Sequence, residues 1–330
     1  MHELDAASEL LDLARKDNAR LKKRLRLADA RKDELVDAVY RAALEAANAA
    51  IRPTIKKPVV DRRRSNAEVG LLHVTDWQCG KHSPSFSVKI LADRIELLAS
   101  KVTKITNIQR ADHPVDELVV MIGGDMVEGL QIFPGQVFEV EVSLYDQIFA
   151  CARIIEQLLD EMLAAFPTVR VITEYGNHGR LGRKGEYPTA DNSDRLVYGI
   201  VEARFANEKR ITFRHSPEFF NTVTIGNYRA LLVHGDEIGS AGGIVRKCSA
   251  WSSGVVPYDF RDIYLGHFHS AQTLALPNGG RVFVTGSPES ANSYAAEVCA
   301  ATSIPSQRLH FIDPARGRVT SEYTLWLDGI

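Results

Sequence analysis

The chain has 330 residues, 45% hydrophobic and 25% charged, with a formal net charge of −2. That length leaves room for one large domain and an appendage. The composition is ordinary for a globular chain and excludes a uniformly basic nucleic-acid binder, so a polyanion would have to meet a local patch. No apolar run reaches the roughly 18 residues of a membrane span. The charged amino terminus lacks the apolar core of a signal peptide, so the expectation is a cytoplasmic protein with no membrane partner. Cys79, Cys151, Cys248 and Cys299 are widely spaced and form no CxxC pair, which predicts reduced thiols and no thiolate zinc site.

Residues 1–50 contain no Gly or Pro and predict one long helix. Leu4, Leu11, Asn18, Leu25, Lys32 and Val39 recur every seven residues, with Ala7, Ala14, Leu21, Ala28, Leu35 and Ala42 three later. This is a heptad seam with an Asn at one core position, a residue that can fix register in a two-stranded coil. Two readings stay open: a coiled coil making a homodimer or higher oligomer, and a single amphipathic helix lying on its own subunit. Arg52-Pro53 ends the helix, and residues 51–66 form a basic linker. It carries Arg52, Lys56, Lys57, Arg62, Arg63 and Arg64 against one acid, Asp61. Such a run is either a solvated connection or a contact for phosphate backbone.

A single domain is expected over 67–330. Within it the pattern predicts a strand from Val69 to Thr75, then Asp76-Trp77-Gln78, and a helix from Val88 to Gln109. The strand opening at Glu117 runs into Gly124-Asp125 and Glu128. A helix over Leu144 to Phe166 precedes the strand Val169 to Tyr175, which leads into Gly176-Asn177-His178. A Gly-rich basic loop follows with Arg180, Arg183 and Lys184, then a helix from Asp194 to Glu208 and strands joined by a turn over Ile211 to Ile225. Tyr228 to Val233 ends in His234-Gly235, a helix is entered through Gly242-Gly243, and Asp262 to Leu265 ends in Gly266-His267-Phe268-His269. Turns at Pro277 and Asp313 predict a hairpin-rich β ending.

Each strand end alone is common turn or cap chemistry. Together, Asp-x-Gln, Gly-Asp-x-x-Glu, Gly-Asn-His, His-Gly and Gly-His-x-His form an ordered set of oxygen and imidazole donors at strand ends, where open α/β sheets place their ligands. Over about residues 69–290 this set resembles the calcineurin-like metallophosphoesterase superfamily, and is most similar to its DNA-repair exonuclease branch. The resemblance implies an α/β fold, a four-layer αββα sandwich preceded by the long helix. It implies two divalent cations, best suited by Mn²⁺, with Fe²⁺ or Zn²⁺ also fitting the mixed donors. One ion would take Asp76, Gln78, Asp125 and His269; the other would take Asp125, Asn177, His234 and His267. By the same resemblance Asp125 would bridge them, and a hydroxide shared by the pair would be the nucleophile. His267 and His269 are two apart, so an extended segment would send both imidazoles from one face, with Phe268 turned away. His178 would face the leaving group as general acid or as a cation on a phosphoryl oxygen.

Two departures from the family pattern stand out. Gln78 occupies a position that usually carries His, and Gly179 one that commonly carries an acid to orient the catalytic His. Glu174 is a substitute for that acid from the other side, and Glu128 is read as orienting a loop or a His. The implied function is a metal-dependent phosphodiesterase, a nuclease hydrolysing DNA, with Arg180, Arg183 and Lys184 on the substrate path and an ATPase as a further partner. Two alternatives stand beside it: a phosphatase or phosphodiesterase for a small nucleotide or phosphoprotein, and a catalytically weak scaffold recruiting a partner through the amino-terminal coil.

Overall fold

The computed structural model describes residues 22–23, 38, 41–45, 54–63, 65–130, 132–133, 135–182, 184–186, 188, 191–289 and 304–329. The chain divides into two compact units, Met1–Ala50 and Ile51–Ile330. In the first, the described residues are helical. Of the heptad positions only Ala42 is described; the rest of the seam lies outside the described residues.

The second unit is a mixed α/β fold with two sheets. Its amino-terminal half alternates strand and helix: β1 (Val69–Val74), α1 (Val88–Gln109), β2 (Glu117–Ile122), α2 (Leu144–Ala165), β3 (Thr168–Thr173), α3 (Ser193–Arg204) and β4 (Ile211–His215). α1 spans the residues its spacing predicts. The four strands pair in parallel in chain order. Crossovers between adjacent parallel strands are right-handed, so a sheet growing in one direction carries all three helices on one face. Each helix starts at a side-chain cap: Ser87, Ser143 and Asn192 accept from the backbone N–H groups of Ile90, Asp146 and Asp194. The chain's last two strands, β10 (Ser306–Asp313) and β11 (Arg318–Trp326), extend this sheet antiparallel beyond β1.

The second sheet comprises β5 (Phe220–Ile225), β6 (Tyr228–Val233), β7 (Asp262–Leu265), β8 (Gln272–Ala275) and β9 (Arg281–Val284), in the order β5-β6-β7-β9-β8. Its three middle strands are parallel. The two sheets meet face to face. Leu71, Val119, Met121 and Ile172 of the first pack on Val223, Ala230, Leu232, Tyr264 and Phe283 of the second in one buried cluster. The alternate residues of the second sheet, Leu231, Val233, Ile263, Leu265, Val282 and Val284, pack instead against Ile244 and Cys248 of a short helix α4 (Ile244–Ala250) and against Trp251. Period-two alternation thus feeds two different cores.

The expected turn between strands over Ile211 to Ile225 is a change of sheet. β4 pairs with β3 while β5 pairs with β6, and Val223 and Ile225 of β5 pack into the core between the two sheets. Asn221 fastens the crossing, its carboxamide donating to the carbonyls of Thr173 and Arg214. The basic linker is partly tied down: Arg63 pairs with Asp61 at 2.7 Å and donates to the carbonyls of Arg110 and Ala111. Lys56, Lys57 and Arg62 are exposed. No described helix is long and apolar enough to cross a membrane.

Candidate metal centre

The carboxyl ends of β1, β2 and β3 in one sheet face those of β6 and β7 in the other, and the donor-bearing loops meet there. Asp125, after β2, has Oδ2 3.0 Å from His234 Nε2, and that nitrogen lies 3.2 Å from Asn177 Oδ1. His267 stacks edge-on to His234 with ring centroids 5.2 Å apart. Donor atoms of Asp125, His234 and His267 lie within 4.8 Å of one another. On the other side, His269 Nε2 is 3.4 Å from Asp76 Oδ1 and 3.3 Å from Gln78 Nε2. The halves are stitched together by backbone: His267 N–H donates to Asp76, Asp76 N–H to the Gly124 carbonyl and Gln78 N–H to the Asp125 carbonyl. All seven donor side chains singled out in the sequence therefore line one place.

The backbone there is strained in a consistent way. Among the described residues six non-glycines have positive φ, and five of them are Asp76, Gln78, Asp125, His267 and His269. A left-handed conformation costs an L-residue about 1 kcal/mol or more, and this cost falls on the donors. It also corrects the expectation for His267 and His269. With φ of 64° and 53° the segment is a tight turn, not an extended strand, and Phe268 N–H closes it on the Gly266 carbonyl at 2.7 Å. Phe268 does turn away, into the α4 side of the second sheet.

His178 sits at the margin of this cluster. Its backbone N–H donates to Asp125 Oδ1 at 2.7 Å, and its Nε2 is 3.9 Å from Asp125 Oδ2. The Nδ1–H donates to the Glu128 carbonyl at 2.8 Å, with the Glu128 carboxylate 3.5 Å away. Burial lowers the proton affinity of the ring, but Asp125 and Glu128 override it and hold His178 up at about 9. Glu128 thus fills the role left open at position 179, and is itself fixed by the Gln136 carboxamide. Gly179 has a different reason to exist: a Cβ there would stand 2.0 Å from Asn192 Oδ1. Glu174 does not reach His178. Its carboxylate accepts from Tyr175 N–H, and burial pushes its pKa to about 9.

Charge in the centre is distributed by the same contacts. Burial opposes ionisation of Asp125, yet His234 and His178 hold its carboxyl far below the carboxylate range. Burial likewise opposes a charge on His234, which Asp125 drives well above its usual value. Burial and the neighbouring His234 press His267 down to about 4, leaving a neutral imidazole.

These residues fit divalent cations. Gln78 Oε1 is a buried carboxamide oxygen without a hydrogen-bond partner, and it belongs to the same cluster as Asp76 and His269. His234 anchors Nδ1–H on the Gly123 carbonyl at 2.8 Å, so that Nε2, which faces Asp125 and Asn177, would be the atom to exchange its proton for an ion. The donor set, carboxylate with amide and imidazole, suits a first-row transition ion.

Three structural supports escaped sequence reasoning. Asp194, at the start of α3, is fully buried and accepts four backbone N–H groups. Those of Asp125 and Gly176 reach Oδ2 at 2.9 Å each; those of Met126 and Val127 reach Oδ1 at 3.0 and 3.4 Å. It holds the β2 and β3 loops together, and burial raises its pKa only to about 6, so it is ionised at neutral pH. The loop after β9 supplies Ser287, whose hydroxyl donates to the Asp76 carbonyl at 2.6 Å, and Glu289. Gln307 of β10 accepts from Thr75 N–H and Trp77 Nε1.

A cavity of about 420 Å³ opens beside Asn177, lined by Tyr175, Arg180, Lys184, Phe219 and Asp236 among others. Arg180 and Lys184 both approach Asp236 Oδ2, at 3.7 and 3.4 Å. Arg183 lies outside the described residues.

No family model matches the chain, and no curated protein matches it. Solved structures give weak matches. Vps29 complexed with zinc from Entamoeba histolytica is 12% identical over 78% of this chain and 99% of its own, with a TM-score of 0.34. A Streptococcus pneumoniae protein described as a predicted phosphoesterase is 12% identical over 78% of this chain and 98% of its own, TM-score 0.32. A 5'-nucleotidase from Candida albicans is 12% identical over 82% of this chain and 54% of its own, TM-score 0.33. Identity and superposition are both low, so the chemistry of the centre stands on its own geometry.

Proposed function

We propose that the chain is a metal-dependent phosphodiesterase of the calcineurin-like metallophosphoesterase kind, and that it is a nuclease acting on DNA. One observation carries the reading. Asp76, Gln78, Asp125, Asn177, His234, His267 and His269, far apart in the chain, converge at the carboxyl ends of two sheets in two adjoining groups of donor atoms, Asp125, Asn177, His234 and His267 in one and Asp76, Gln78 and His269 in the other. Asp76, Gln78, Asp125 and His269 would hold one divalent ion, and Asp125, Asn177, His234 and His267 the other. Such a pair supplies Lewis acidity and an activated water for in-line attack at phosphorus.

The protein's own part is positioning and proton supply. His178 has its Nδ1 fixed by Glu128, and its Nε2 points into the centre, 3.9 Å from Asp125 Oδ2. It donates a proton to the departing oxygen, or holds charge on a phosphoryl oxygen, and Glu128 keeps the ring in place. Arg180 and Lys184, on the wall of the adjoining cavity, meet a second phosphate of a polyanion by exchanging Asp236 for it. That cavity, of about 420 Å³ with Tyr175 and Phe219 in its lining, equally favours a second reading, a phosphodiesterase for a small nucleotide.

Purified protein incubated with Mn²⁺ and end-labelled single- and double-stranded DNA separates the two. Metal-dependent cleavage of DNA supports the nuclease. Turnover of a chromogenic phosphodiester with both DNA forms left intact supports the small nucleotide. Absence of metal binding and of any turnover would leave the scaffold reading.

A further inference from the structure

A carboxylate outside the donor set lies against one of its imidazoles. Glu289 follows β9, the third of the parallel strands of the second sheet, and its side chain is 2% exposed. Its Oε2 is 3.7 Å from His269 Nδ1 and its Oε1 is 2.9 Å from Lys81 Nζ, with Lys81 itself 3% exposed. A buried Lys–Glu pair is weak evidence for stability, because desolving two charges offsets most of their attraction. Its position is the informative part.

We propose that Glu289 is a positioning residue for His269. Its Oε2, buried with no hydrogen-bond partner, faces His269 Nδ1 across 3.7 Å and favours the tautomer that turns a bare Nε2 toward the Asp76–Gln78 half of the centre, while Lys81 holds the carboxylate in place. The inference rests on the metal-centre reading above. The other two tethered imidazoles follow the same pattern: His234 Nδ1–H is anchored on the Gly123 carbonyl and His178 Nδ1–H on the Glu128 carbonyl, each at 2.8 Å. His178 also has a carboxylate near Nδ1, that of Glu128 at 3.5 Å, but of the two metal-donor imidazoles His234 faces a carbonyl and His269 a carboxylate, and His269 shares its half of the centre with Gln78, a neutral donor weaker than imidazole. A carboxylate behind a ligating imidazole raises its basicity, which compensates the weaker partner.

Both members of the pair are built into the centre by backbone. Lys81 N–H donates to the Gln78 carbonyl at 3.0 Å. Glu289 N–H donates to the Ser287 hydroxyl at 2.9 Å, and that hydroxyl donates to the Asp76 carbonyl. Lys81 is therefore held on the loop that carries Asp76 and Gln78, and Glu289 on the β9 loop that Ser287 ties to it.

The test is Mn²⁺ titration calorimetry on the full chain, alongside ¹⁵N NMR of the His269 tautomer. Glu289→Gln keeps the shape and removes the charge. The double variant Lys81→Met with Glu289→Met replaces the pair with apolar side chains of similar volume, which leaves the fold at least as stable. Both variants are expected to bind one Mn²⁺ as the parent does and the other about 10–100-fold more weakly, with the Nδ1–H tautomer of His269 lost from dominance. Parent-like affinity for both ions in both variants overturns the role of Glu289 and leaves the metal centre standing. Equal weakening of both ions also overturns it. A parent chain that binds no Mn²⁺ overturns the metal centre, and this inference with it.

Discussion

Asp194→Asn isolates the device that holds the donor loops in register. Each carboxylate oxygen accepts two backbone N–H groups, Oδ2 from Asp125 and Gly176 and Oδ1 from Met126 and Val127. An amide is the same shape, but whichever way it is turned its NH₂ faces two donors. Two of the four bonds are lost and two buried N–H groups are left facing a donor. Hydrogen bonds to a charged group contribute about 1.5–3 kcal/mol each, and neighbouring ones are not additive, so a loss of about 2–4 kcal/mol is expected. For a unit of this size about 2 °C of Tm accompanies each kcal/mol, which gives a fall of about 4–8 °C. Differential scanning calorimetry of the two proteins in chelator reads it directly. Because the loops bear Asp125 and Asn177, the same variant should bind Mn²⁺ more weakly by calorimetric titration. A Tm within about 1 °C of the parent, with parent-like Mn²⁺ affinity, would refute the reasoning.

Other predictions follow from single contacts. Gly179→Ala puts a methyl 2.0 Å from Asn192 Oδ1 and 3.1 Å from the Asp194 nitrogen. Asn192 then leaves the α3 cap, at about 1–3 kcal/mol by chemical denaturation. Glu174 has a folded-state pKa raised from 4.5 to about 9 by burial. The folded chain keeps a proton that the unfolded chain releases, so its contribution is present below pH 4.5 and is lost as pH rises toward 9. Between about pH 6 and 8 this removes on the order of 3 kcal/mol, and Glu174→Gln should flatten that part of the stability–pH curve. His178→Ala should retain metal and slow turnover by about 10²–10⁴-fold; metal loss in that variant would mean that His178 is a ligand.

The strand ends were legible because their grammar is local: a buried apolar run, a glycine, then a donor. Helix α1 was legible for the same reason, with period and cap in one window. What escaped was long-range. Asp194 looks like an ordinary first-turn acid, and nothing near it in the chain points to Asp125–Val127, 67–69 residues away. Gly179 reads as a missing acid until the Asn192 carboxamide is seen in its place, and the acid beside His178 arrives from position 128, fifty residues earlier. Ser287 and Glu289 did carry a signal, since Arg281–Val284 is followed by Thr285, Gly286 and polar residues in the same pattern as the other ends. The turn at His267–His269 could not be seen by alternation, because period two holds only in extended backbone. The change of sheet between β4 and β5 was hidden because pairing partners, not the strands themselves, decide it.

The most direct test of the account is metal content before and after loss of the shared carboxylate. The parent chain, dialysed against Mn²⁺ and analysed by elemental mass spectrometry, should hold two ions per chain, and Asp125→Ala should hold neither tightly, because both halves of the centre lose a donor. A parent chain that holds no ion, or an Asp125→Ala chain that keeps both, would contradict it.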